Sequence, residues 1–225
     1  PQWIPVCPYL FPNENPTEGI PGELEQVFSA PGTELGQSIM ELGAYLGASD
    51  YMLPVPPAAT LVSDTCPAQT ERTAPGTLIT TLHTPRGDLR QVSQTFPGYP
   101  GLTTERYLKN LDDAHRLIEY FRSLRVELVP GAVTAARQVR EQVGDQGVVF
   151  CRTFGTPLGM CYRVYASITD LLYLIADHPH VAGQLFATME EKYLEAYGLM
   201  LREVPEIDAF LGMVDTSTTL VSPDL

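Results

Sequence analysis

Residues 148–157 read VVFCRTFGTP. Four apolar residues in a row, Val148-Val149-Phe150-Cys151, have the pattern of a strand buried on both faces, as in parallel sheets. The next six residues break that run. Gly155 and Pro157 allow a close backbone approach to a ligand, and Arg152 can bind an anion. In parallel α/β folds the reacting groups gather where strands end and loops begin. An ordinary connecting loop with a solvated arginine has the same composition, and the local pattern leaves both readings open.

Working outward, the flanking segments repeat the same grammar. Asp112–Leu124 (DDAHRLIEYFRSL) predicts a helix whose acidic first turn suits the positive end of the dipole. Val133–Val143 predicts a second, ended by Gly144-Asp145-Gln146-Gly147 just before the apolar run. Downstream, Ser167 caps a predicted helix over Asp170–Ala176. Asp177-His178-Pro179 opens a longer one reaching about Val204, where Pro205 stops it. Ile207–Val214 reads as the next strand and runs into Asp215-Thr216-Ser217-Thr218-Thr219. One carboxylate and four hydroxyls at a strand end can bind a polar substrate or position a proton. The same residue types also serve as helix caps, so that role stays open. Strand, polar loop and helix in repetition predict a parallel sheet or barrel.

Residues 1–100 have a different texture, rich in Pro and Gly. Trp3–Val6 predicts a short strand, Pro8–Pro21 a loop, and Gly22–Phe28 and Glu34–Leu46 two helices. Ala59–Val62 reads as a strand. Thr77–His83 and Leu89–Gln94 alternate in polarity around Pro85-Arg86-Gly87-Asp88, which predicts an antiparallel hairpin. The whole reads as one domain, 1–225, with this N-terminal part ahead of βα repeats over 101–225.

Composition narrows the function classes. The chain has 225 residues, 27 acidic against 14 basic side chains and a formal net charge of −13. Phosphate neutralisation needs a surplus of Lys and Arg, so the charge argues against a nucleic-acid binder and disfavours general affinity for an anionic membrane surface, while leaving room for a local basic pocket. The 44% apolar share is that of a folded core. There is no run of about 18 apolar residues to span a bilayer. Four cysteines (Cys7, Cys66, Cys151, Cys161) without a C-x-x-C pair fit a reduced, cytoplasmic protein. The four histidines lack metal-ligand spacing, and His178 and His180 point to different helix faces. The start at Pro1 without a signal sequence, and the stop at Ser222-Pro223-Asp224-Leu225 after a strand-like run, read as a piece of a longer protein.

Phe154-Gly155-Thr156-Pro157-Leu158, the DLLYLIADHPHVAGQLF helix, Phe210–Ser217 and Leu220-Val221-Ser222-Pro223 together resemble the uroporphyrinogen decarboxylase superfamily. The hairpin HTPRGDL (His83–Leu89) and Asn110–Asp113 are similar to further stretches of it, in the same order. This superfamily includes the decarboxylase and corrinoid-linked methyltransferases. The resemblance implies a (β/α)8 barrel, incomplete at the C-terminal end, with the hairpin as an N-terminal elaboration. An arginine-rich stretch of the decarboxylases is missing after Trp3-Ile4-Pro5-Val6, which removes the cations a poly-carboxylate porphyrinogen requires. The Asp-Thr loop with its later Ser-Pro resembles the methyltransferase branch more closely.

That branch implies methyl transfer between a small donor, a corrinoid and a thiol or folate acceptor. Its zinc, held by His-x-Cys and a later Cys, would have its ligands beyond residue 225, with none in this chain. The corrinoid is then a carried substrate, and a corrinoid protein a possible partner beside the small-molecule substrate. The resemblance assigns catalysis to Asp215 and Thr216, and substrate binding to Arg152, Gly155, Tyr162 and Ser217. Alternatives are decarboxylation and a non-catalytic barrel that binds a ligand or a corrinoid protein.

Overall fold

The computed structural model describes residues 51–96, 99–145 and 147–212. The expected strand at Trp3–Val6, the helices over 22–28 and 34–46, Cys7, and the loop with Asp215, Thr216 and Ser217 lie outside them. The described residues divide into two compact units, one drawing on 51–59, 128–145, 147–153 and 199–211, the other on 60–96, 99–127, 154–198 and 212.

The first unit is built on the apolar run. Strand β8 (Gly147–Arg152) is central in a three-stranded parallel sheet, with β1 (Tyr51–Val55) on one side and β9 (Ala209–Leu211) on the other. Val149, Phe150 and Cys151 are buried, as a strand flanked on both edges requires. Among the described residues β1 pairs with β8 alone, and Pro54, which has no N–H to donate to a ladder, sits on this outer strand. Helix α2 (Ala132–Val143) packs on β1 and β8 through Ala132, Ala136 and Val143. Asp208 starts the β8–β9 ladder: its carboxylate accepts from Val149 N at 2.8 Å and its N–H donates to Val149 O at 2.9 Å. Arg140 donates to the same carboxylate and to Glu206 O, tying α2 to this corner.

The second unit holds most of the antiparallel structure. Strands β3 (Ala68–Ala74), β4 (Thr77–Thr84), β5 (Gly87–Phe96) and β6 (Tyr99–Glu105) form one four-stranded sheet in chain order. The predicted hairpin is its centre, with a tighter turn than expected: β5 already starts at Gly87, and Thr84 pairs with Gly87. The β3–β4 turn rests on Pro75-Gly76. Proline fixes the first turn position and Gly76 takes φ +80° at the second. Strand β2 (Ala59–Val62) pairs with β7 (Arg125–Leu128) in a separate two-stranded sheet.

Helix α1 (Leu111–Ser123) presents Ala114, Leu117, Ile118 and Phe121 to the core of this unit. Asn110 caps it, accepting from Asp113 N at 3.0 Å, while the Asp113 carboxylate accepts from Lys109 N, just before the cap, at 3.2 Å. The chain after β8 forms the short helix α3 (Pro157–Met160), a π-turn (Cys161–Tyr165), α4 (Ile168–Asp177) and α5 (Pro179–Glu203). Leu82 and Leu89 of the hairpin, Leu171 and Leu174 of α4, and Leu185, Met189 and Tyr193 of α5 complete the core.

The expected (β/α)8 barrel is overturned. The described residues make a mixed α/β fold of three small sheets, in which the parallel sheet has three strands and the largest sheet is antiparallel. Residues 68–105 explain the error. Three successive reversals commit them to one antiparallel meander, where the hairpin alone had been read as an appendage to a barrel.

Candidate functional site

The carboxyl end of β8 is where the expected residues can be placed. Thr153 N donates to Leu211 O at 3.2 Å, extending the β8–β9 pairing by one residue. Arg152 is the last residue of β8, opposite Leu211 in register, and is exposed.

Beyond Thr153, the loop is anchored by α5. The Phe154 ring stacks on Tyr193 with centroids 4.8 Å apart and planes 4° from parallel. The Tyr197 hydroxyl donates to Phe154 O at 2.7 Å. Tyrosines four residues apart share one face of a helix, so a single face holds both the ring and the backbone of the loop. Thr156 then caps α3, accepting from Gly159 N at 3.2 Å, with Pro157 in the first turn where its missing N–H costs nothing.

Gly212 follows β9 immediately. A Cβ at this position would lie 3.2 Å from Phe154 O and 3.5 Å from Gly155 Cα. The two loops therefore meet backbone to backbone, which only glycine permits without displacement. Gly155 is thus brought against the segment that leads, three residues on, to Asp215. The candidate residues Asp215, Thr216 and Ser217 themselves are outside the described residues.

Tyr162 has a different setting. It lies in the π-turn and packs, half-buried, against the hydrophobic core of the second unit. The turn ends in carbonyls that an α-helix would leave to its own next residues. Here Arg106 donates to Arg163 O, Gln91 Nε2 to Val164 O at 2.9 Å, and Leu108 N to Tyr165 O at 2.8 Å. Strand β5 and the segment after β6 therefore hold this rare conformation, a kind that recurs at functional sites. Tyr165 is packed among Phe121 (5.2 Å) and Tyr107 (6.2 Å), and burial raises its phenol well above the usual range.

Burial works against thiolate formation at Cys151 and Cys161. Burial pushes Cys161 up to about 12, and its Sγ lies 3.5 Å from Met189 Sδ. Burial raises Cys151 as well, against a backbone hydrogen bond from Ala58 that lowers it. A thiolate ligand needs the opposite shift. Among the described residues no three His, Cys, Asp or Glu side chains converge, so these residues do not fit a zinc centre. A separate cleft of about 180 Å³ lies between the start of α1 and the end of α4, lined among others by Lys109, Asp170, Tyr173 and His178. Its Asp170 carboxylate is engaged by Ser167 Oγ at 2.6 Å, as part of the α4 cap.

Sequence reasoning missed Tyr193 and Tyr197. Their spacing of four residues within a predicted helix was the available signal, hidden because aromatic residues at helical spacing are usually core. No helix among the described residues is long and apolar enough to cross a membrane. No family model matches the chain, and no curated protein or solved structure matches it.

Proposed function

We propose that the protein is a small-molecule enzyme whose reacting centre lies at the carboxyl ends of β8 and β9, and that it transfers a methyl group. The observation that carries the location is the backbone contact of Gly212 with Phe154 O and Gly155, which joins the loop after β8 to the chain leading into Asp215. Parallel strands direct their carboxyl ends, and the loops that follow, to one side of a sheet, where ligands bind. Asp215, with Thr216, orients the substrate or a proton. The resemblance gives substrate-binding roles to Arg152, Gly155, Tyr162 and Ser217; of these, Gly155 is the one that the described contacts bring to this junction, whereas Tyr162 packs on the hydrophobic core.

The choice of reaction rests on the resemblance to the corrinoid-linked methyltransferases. It is supported by the Asp215-Thr216 loop with Ser222-Pro223, and by the lack of an arginine cluster after Trp3. The net charge of −13 also disfavours a polyanionic porphyrinogen. No step is assigned to zinc. The buried free thiols favour a reducing, cytoplasmic setting.

The test is a pair of assays on the full-length protein. With methylcobalamin and a thiol acceptor, the cobalamin spectrum should report loss of the methyl group at a rate proportional to enzyme. With uroporphyrinogen, no carboxyl group should be lost. Decarboxylation without demethylation would reverse the assignment, and neither activity would favour a binding protein.

A further inference from the structure

Tyr193 is 3% exposed, and among the described residues its hydroxyl has no hydrogen-bond partner. A buried hydroxyl left unpaired costs about 1–3 kcal/mol, and phenylalanine would fill nearly the same volume without that cost. Three of its neighbours are turned elsewhere. The Cys161 thiol is directed to Met189 Sδ, the Tyr197 hydroxyl to Phe154 O, and Phe121 meets Tyr193 edge-on with centroids 6.4 Å apart.

What covers the Tyr193 ring is Phe154, flat on it, carried by a loop and not by a helix or strand. A flat ring entering from the loop side can take the place of Phe154, keep the stack and add an acceptor for the unspent hydroxyl. Among the described residues, those packed with Tyr193 in this core are apolar or aromatic, and a carboxylate would lose its hydration there. The acceptor that fits is a neutral carbonyl.

We propose that Tyr193 and the Phe154 loop form a closed binding site for a flat, conjugated molecule bearing a neutral carbonyl oxygen, with Phe154 as the group it displaces. The site stands independently of methyl transfer, since it uses neither Asp215 nor a methyl donor.

The probe is benzamide, with toluene as the ring that lacks an acceptor, titrated into the full-length protein by calorimetry and thermal melting. Benzamide should raise the melting temperature of the wild-type protein. It should bind Phe154→Ala more tightly, because the loop ring no longer competes. Adding Tyr193→Phe to that variant should weaken benzamide about tenfold, the value of one hydrogen bond, while leaving toluene unchanged. Tyr193→Phe alone should melt no lower than wild type, since no bond is lost. If Phe154→Ala does not fold, Phe154→Leu serves in its place. The proposal is overturned if benzamide binds neither wild type nor the loop variant, or if its affinity ignores the Tyr193 hydroxyl. A lower melting temperature for Tyr193→Phe would overturn it too, by showing that the hydroxyl already has a partner.

Discussion

At the residue scale, the junction of the two loops depends on one missing Cβ. Gly212→Ala would place a methyl group 3.2 Å from a carbonyl that Tyr197 also holds in place. The carbonyl has to give by a few tenths of an ångström against that hydrogen bond, so the variant should lose about 1 kcal/mol. Denaturant unfolding would measure it, and Tyr197→Phe should relieve part of the loss in the double variant. The phenols and thiols add a pH signature. Burial pushes Tyr107 and Cys161 up to about 12, and raises Tyr165 and Tyr193 as well. Groups raised in the folded state stabilise it fully below their unfolded values, near 9 for thiols and 10 for phenols. That contribution is lost as pH rises through the folded values. Unfolding free energy should therefore fall steeply from about pH 9 upward, and equilibrium denaturation across pH 8–11 would show a flat curve if the account is wrong.

At the element scale, the π-turn is the feature that local sequence could not announce. Its carbonyls are satisfied by Arg106, Gln91 and the Leu108 N–H, 57 or more residues away along the chain. A period-based reading sees CYRVY only as helix. The same holds for β3 and β6, whose sequences, AQTERTA and YPGLTTE, gain their strand character from pairing with β4 and β5. Helices α1, α2, α4 and α5 and strand β8 were legible, because amphipathic spacing, caps and an apolar run are local signals. Of the site, the Gly155 loop was legible from its Gly and Pro. The tyrosine face that anchors it was not, because burial is a tertiary property. Gln91→Ala should remove one of the three clamps and speed amide exchange in residues 161–166 at least tenfold, with little change in exchange of α1. Equal protection in both proteins would show the turn to be self-sustaining. Phe121→Ala, which removes the residue shared by Tyr165 and Tyr193, should cost about 3–5 kcal/mol in a thermal or denaturant melt.

At the scale of the whole molecule, the parallel sheet and the antiparallel meander answer different questions. The meander corrects the fold, since residues 68–105 form a sheet of their own and not a barrel decoration. In the parallel sheet β8 and β9 end side by side, and the segment after β8 meets Gly212. The central claim is that the segment entered through Gly212 carries the reacting carboxylate. It is tested most directly by Asp215→Ala in the full-length protein, assayed for thiol-dependent demethylation of methylcobalamin beside its far-UV circular dichroism melt. The account predicts loss of turnover with an unchanged melt; turnover equal to wild type would contradict it.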